Sequence, residues 1–399
     1  IDMYVKCGLL DMAQEVFDKL PTRDVVSWTS LIAGYVEHGA GEEALKCFQK
    51  MVGDGTPCNA ITYVCILKAC SSIGDSNKGQ EIHSEIEKNG LLETNFLLCN
   101  ALLDMYAKCG LLTKAQKVFD RIPVRDVVSW TSIIAGYTEH GHGEEAINAF
   151  ELMYMEGVCP DVVTFLCVLK ACGHIRDMVK GEEIHAEVER RGLFEINLGI
   201  GNIVMEMYIQ CGLLPKALQV FEKLPFRDTV SWNILIMGYT EQGDARQALA
   251  FFGQMQLENV SPDTLTYIYS LKACSSMRAI CIGSRIFSEV ARTGLFEDDV
   301  HLGNNIVDMF IKWGMFERAQ EVFDKLLVKD VVSWNTLMAG YADHGLCMEA
   351  LSCFSQMQDR RVSPDSCSFV CIINACGYIR MKEKGEEIHS EVEKVGLVE

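Results

Sequence analysis

Apolar positions along the chain fall in short stripes at helical spacing, with glycines between them. Trp28, Leu31, Ile32, Tyr35 and Val36 occupy i, i+3, i+4, i+7 and i+8; Gly39 and Gly41 interrupt, and Ala44, Leu45, Phe48 and Met51 resume the period. Ile66, Leu67 and Cys70 precede Gly79, with Ile82 and Ile86 beyond it. Leu102, Leu103 and Tyr106 precede Gly110, with Ala115, Val118 and Phe119 beyond it. Each stretch predicts a helix, a turn and a second helix.

These pairs are copies of one another at a fixed step. Trp28, Trp130, Trp232 and Trp334 stand 102 residues apart, inside V-S-W-T-S-L-I-A-G-Y and its variants. K-A-C keeps the step at Lys68, Lys170 and Lys272, with Asn374 in the fourth place, and so does D-M-Y-x-K-C-G at Asp2, Asp104 and, altered, Glu206 and Asp308. A pair of about 31 to 36 residues cannot bury its own apolar face, so its stability has to come from stacking on neighbours. The expected fold is all-α, an α-solenoid superhelix of stacked helix-turn-helix repeats.

Composition narrows the function. The 399 residues are 49% hydrophobic with only 8 Pro, which excludes collagen-like and disordered classes. A net charge of −19 excludes a protein that holds a polyanion by charge alone, so any nucleic-acid role must use local contacts. Eighteen cysteines in a chain rich in Leu, Ile and Val fit a reducing compartment better than a disulfide framework. No apolar run reaches the roughly 18 residues of a membrane span. The chain opens on Ile1 without a charged leader, so no membrane partner is expected and a targeting segment is expected outside it.

Catalytic signals are weak. H-x-E occurs at His83-Glu85, His185-Glu187 and His389-Glu391, as in zinc deaminases, but the P-C-x-x-C half is missing and the phrase recurs within a helical pattern. No catalytic residue, metal site or cofactor is expected, and the chain is not expected to be an enzyme. Cys70, Cys172, Cys274 and Cys376, and Cys7, Cys109 and Cys211, are expected to be small buried packing residues, with Trp313 in the fourth place of the second set.

The phrases V-S-W-T-S-L-I-A-G-Y at 26–35, I-L-K-A-C at 66–70 and A-L-L-D-M-Y-A-K-C-G at 101–110 resemble the pentatricopeptide repeat family, specifically its plant-type P, L, S subclass. The resemblance covers the whole chain as one solenoid. It implies a partial S motif at 1–24, P motifs at 25–59, 127–161, 229–263 and 331–365, and L motifs at 60–95, 162–197 and 264–299. S motifs follow at 96–126, 198–228 and 300–330, with a truncated L motif at 366–399. Both ends cut through motifs, as expected of a piece of a longer tract.

In that family the fifth and last residues of a motif read one base of single-stranded RNA, which here implies the pairs Thr29/Asn59, Asn100/Asp126, Thr131/Asp161, Asn202/Asp228, Asn233/Asp263, Asn304/Asp330 and Asn335/Asp365. Short polar side chains of this kind suit a base edge, and they equally suit helix caps and Asx-turns. The L motifs place aliphatic Val64, Leu166, Ile268 and Val370 at the fifth position, with Asn95, Asn197 and Asp299 at the complete ends. Val26, Val128, Val230 and Val332 would sandwich bases, whereas Leu97, Gly199 and His301 hold that place in the S motifs. The implied target is A-n-U-G-n-U-U-n-U-U, with C tolerated at the U places. Arg23, Arg125, Arg227 and Lys329 are candidates for phosphate contact or for solvated charge. The subclass implies the site-recognition tract of a C-to-U editing factor in a mitochondrion or chloroplast, working with an editing deaminase or other editing factors. RNA stabilisation or splicing, and a protein-binding helical scaffold, are the alternatives.

Overall fold

The computed structural model describes residues 1–92 and 95–395. Residues 93–94 and 396–399, which close two of the expected L motifs, lie outside the described residues. All regular structure among the described residues is helical, and none of the described helices is long and apolar enough to cross a membrane. The fold is an all-α solenoid whose chain divides into two compact units, Ile1–Leu213 and Leu214–Glu399.

In the first unit the leading helices of successive hairpins lie side by side: Val25–Glu37, Ala60–Ile73, Phe96–Lys108, Val127–Glu139, Val162–Ile175 and Leu198–Gln210. The trailing helix Gly41–Gly53 packs on its own leading helix and on the next, and Gly143–Met155 does the same. The second unit repeats this with the leading helices Thr229–Glu241, Thr264–Met277, Val300–Lys312, Val331–Asp343 and Ser366–Ile379. Short helices at Leu193–Ile196 and Leu295–Asp298, for which the apolar pattern shows no stripe, precede two of the leading helices.

The recurring tryptophan explains the period in packing terms. Each indole is buried edge-on against a phenylalanine of the preceding trailing helix: Phe17 with Trp28 at 4.5 Å, and Phe119 with Trp130, Phe221 with Trp232 and Phe323 with Trp334 at 4.7 Å. Close approach of neighbouring leading helices is set by glycine. A side chain at Gly34 would strike Val5, at Gly136 Ala107, and at Gly340 Ile311.

Two glycine readings need correction. The turn after Ala60–Ile73 is made by Gly74 at φ +72°, and Asp75 caps the next helix; Gly79 lies inside helix Ser76–Lys88, pressed against Met105. Gly41 likewise begins helix Gly41–Gly53 rather than forming its turn, which Gly39 makes at φ +76°. The cysteine expectation also holds only in part. Cys70, Cys172, Cys274 and Cys376 are buried, and burial pushes the first three thiols up to about 12. Cys7 is exposed and Cys109 and Cys211 are half-buried, because each is the C-cap residue of its helix.

Candidate nucleic-acid interface

Every described last residue of the expected motifs is a helix N-cap. Asn59, Asp126, Asp161, Asp228, Asp263, Asp330 and Asp365 each accept the backbone N–H three residues on, at 2.8 Å. This local chemistry places a carboxylate or amide at the start of each following helix. At the ends of the expected P motifs the fifth residue of the motif comes up beside it.

Four places, which we term slots, share one arrangement. Asn233 donates from Nδ2 to both Asp263 oxygens at 2.9 and 3.0 Å, and its Oδ1 accepts from the Thr266 hydroxyl at 2.5 Å. Asn335 donates to Asp365 at 2.9 Å and accepts from Ser368 at 2.6 Å. In the threonine slots the link is indirect. Thr29 and Thr62 share a hydroxyl–hydroxyl bond of 2.8 Å, Thr131 and Thr164 one of 2.7 Å, and Thr62 and Thr164 donate to Asn59 and Asp161.

The expected S motifs differ. Asn100 reaches Asp126 only at 3.4 and 3.5 Å. Asn304 lies near enough to Asp330 to help depress its carboxyl, yet neither of its buried amide atoms makes a well-formed hydrogen bond. Asn202 lies buried in the first unit, and Asp228 caps helix Thr229–Glu241 in the second. Burial pulls the Asp330 and Asp365 carboxyls up, but their hydrogen bonds outweigh it and hold both below the usual range. Both therefore stay ionised as acceptors at neutral pH.

Apolar groups flank the slots in the open. Val26, Val128, Val230 and Val332 are each more than half exposed, and so are Ile61, Val163 and Leu265 at the same place in the expected L motifs. Only the valines of the P motifs were singled out by sequence; the second-residue position, once assigned, extends to these three. Cys367 follows the same register, and a cleft of about 500 Å³ brings Asn335, Cys367, Val370 and Cys371 together. A larger cavity of about 580 Å³ lies elsewhere, lined by Tyr154, Phe165, Lys180 and Arg191. Its charges are paired internally, Lys180 with Glu151 and Glu183, and Arg191 with Glu187.

The four basic residues before the caps have a different use. Arg125 lies 4.8 Å over the Phe119 ring and bonds Glu156 at 2.8 Å; Arg227 lies 4.7 Å over Phe221 and faces Glu258 at 3.4 Å. Arg23 covers Phe17 and Lys329 covers Phe323, and both donate to backbone carbonyls of the preceding helix. These clasps close the trailing helix at its C-terminus. Two of the three H-x-E histidines are also structural: His83 and His185 each share a 2.7 Å hydrogen bond with a tyrosine, Tyr106 and Tyr208. Among the described residues no three His, Cys, Asp or Glu side chains are grouped to hold a metal ion.

Comparison with known proteins agrees with the repeat fold. The profile of the PPR repeat family matches residues 23–72, 125–174, 227–276 and 329–377, and that of the PPR repeat matches 1–25, 61–91, 98–127, 202–227 and 304–331. Three relatives from Arabidopsis thaliana are pentatricopeptide repeat-containing proteins. At2g39620 is 34% identical over 98% of this chain and 47% of its own length, and chloroplastic At4g18520 is 35% identical over 96% and 62%. Mitochondrial At2g03380 is 33% identical over 99% and 57%. The chain thus spans about half the length of the curated relatives it matches. The crystal structure of the pentatricopeptide repeat protein PPR10 in complex with an 18-nt psaJ RNA element superposes with a TM-score of 0.76 at 17% identity, over 97% of this chain and 58% of that one.

Proposed function

The chain belongs to the pentatricopeptide repeat family, and from that premise we propose that its row of polar slots binds single-stranded RNA sequence-specifically, about one base per slot. The observation that carries this reading is the convergence at Asn233. Its amide is anchored on one edge by Asp263 and Thr266, which leaves an N–H and a carbonyl lone pair for a base edge, and exposed Val230 stands beside it to pack on the base face. Base reading and capping are then two uses of one residue, since Asp263 caps a helix with one oxygen and holds Asn233 with both.

By the family resemblance Thr29/Asn59 would prefer A, Thr131/Asp161 G, and the Asn/Asp pairs U, with C tolerated. PPR10 crystallised with RNA supports the ligand class, and the chloroplastic and mitochondrial relatives support an organellar transcript. The alternation of polar and aliphatic fifth residues supports the P, L, S subclass, and with it the site-recognition tract of a C-to-U editing factor. The chain binds and does not convert; the deaminase is supplied from outside these residues.

The test is a swap. Thr131→Asn should turn its slot from G towards U by about tenfold in relative affinity, given about 1–3 kcal/mol per base, and should leave the melting temperature nearly unchanged. Equal weakening towards every RNA would make Thr131 a packing residue only. With a net charge of −19 few phosphates should be neutralised, and the affinity should fall with salt at a log–log slope of only about −1 to −3.

A further inference from the structure

We infer that the hydroxyl three residues into each helix that follows a P-type slot, on Thr62, Thr164, Thr266 and Ser368, is a third specificity-determining group: a positioning residue that fixes which hydrogen-bonding face the slot shows to a base. The inference rests on the RNA-reading function proposed above.

The argument is one of donor direction. The Thr266 oxygen accepts the Asp263 backbone N–H at 3.1 Å and lies 2.5 Å from Asn233 Oδ1 and 2.9 Å from Asp263 Oδ1; its single proton goes to the nearer acceptor, Asn233, because Asn233 Oδ1 has no proton of its own to offer in return. Asp263 can only accept, so it holds the Asn233 Nδ2 side. Together the two groups forbid the amide from turning over, and the donor and acceptor presented to a base are set. Ser368 does the same for Asn335.

In the threonine slots the same hydroxyl reverses the offer. Thr164 gives its proton to Asp161 Oδ1 at 2.8 Å, an atom that can only accept. Either hydroxyl of the 2.7 Å Thr131–Thr164 pair can be the donor; with the Thr164 proton drawn to the charged Asp161 oxygen, Thr131 donates to Thr164 and presents its lone pairs. Thr62 stands likewise between Asn59 and Thr29. One relay therefore makes a threonine an acceptor for purine N–H groups and fixes an asparagine as donor and acceptor.

The expected S slots are an internal control. Ser333 caps with Asp330 at 2.8 Å but makes no bond to Asn304, and Ser129 returns its proton to the Asp126 carbonyl at 2.9 Å. The cap is present there without the relay.

The experiment uses the whole chain and ten-nucleotide RNAs that vary one base at a time. Thr266→Val keeps shape and removes the hydroxyl; it should cut discrimination for U at the Asn233 slot from about tenfold to under about threefold, with affinity for mismatched RNAs held within about twofold. Thr266→Ser should restore it. Thr164→Val should do the same to G preference at the Thr131 slot, and Ser333→Ala should leave discrimination at its own slot within about twofold. Equal loss towards all four bases with a lowered melting temperature, or full discrimination by Thr266→Val, would overturn the inference while leaving base reading intact. A wild-type chain with no base preference at these slots would overturn both.

Discussion

Asn233 with Asp263 and Asn304 with Asp330 are the same two residue types, in the same unit and in the same order along the chain, and the two asparagines are buried to nearly the same degree. They are bonded quite differently. Asn233 is tied by carboxylate and hydroxyl, whereas Asn304 makes no well-formed bond. The difference lies in the connection between the two residues. The trailing helix between Asn233 and Asp263 has 13 residues, Ala245–Leu257, and that between Asn304 and Asp330 has 10, Phe316–Lys325. At 1.5 Å per residue the second is about 4.5 Å shorter, so the following helix delivers its cap and hydroxyl at another height. A residue pair alone does not define a site; the length of what joins it does.

The largest effect that should separate the two places is loss of the carboxylate. Asp263→Ala removes a cap, worth about 1 kcal/mol, and also strands a buried amide donor, worth about 1–3 kcal/mol. Urea denaturation should therefore show a loss of roughly 2–4 kcal/mol, against about 1 kcal/mol for Asp330→Ala. Equal losses would erase the contrast.

A smaller effect comes from the asparagines themselves. Asn233→Ala should cost about 1 kcal/mol for the lost hydrogen bonds. Asn304→Ala removes an amide that makes no well-formed hydrogen bond and only helps to depress the Asp330 carboxyl, and should cost well under about 1 kcal/mol. A clear destabilisation at Asn304 would mean that its amide is bonded after all.

The smallest effect sharpens the comparison with a second pair. His83 with Tyr106 in the first unit corresponds to Phe287 with Phe310 in the second, where the rings pack at 5.1 Å instead of hydrogen bonding. Burial holds His83 below the ordinary imidazole value against the pull of Glu87, with Arg121 and Lys114 adding to the lowering. On acidification the unfolded chain takes the proton first, so stability should be level above about pH 6.5 and fall below it. His83→Phe should cost about 1 kcal/mol by stranding the tyrosine hydroxyl. Adding Tyr106→Phe should recover it, and both variants, lacking the imidazole, should lose that part of the pH dependence, as followed by thermal melts between pH 5 and 8.

The helical period, the glycine turns and the 102-residue step were legible in the sequence because they follow from backbone geometry and burial. The polar slots were legible only as pairs. Nothing in Asn-plus-Asp distinguishes a tied amide from an untied one, because the deciding atom is the hydroxyl of Thr266, three residues beyond the cap in the helix that Asp263 begins. Gly79 misled for a related reason: glycine marks a turn in isolation, whereas here it admits Met105 against a helix. The basic residues before the caps looked solvated or phosphate-bound because the phenylalanine ring beneath Arg125 is six residues away and on another element.

Those clasped cations have a kinetic consequence. With Arg125 and Arg227 committed to carboxylates of their own chain and an overall charge of −19, no field draws a polyanion in from a distance. Association with RNA should proceed at the unsteered rate of about 10⁵–10⁷ M⁻¹s⁻¹, not the 10⁸ or more of charge-guided encounters. On the proposed base-reading function, discrimination among transcripts would be exercised after collision, in how long each strand stays, and residence time would be the quantity through which such a chain selects its target.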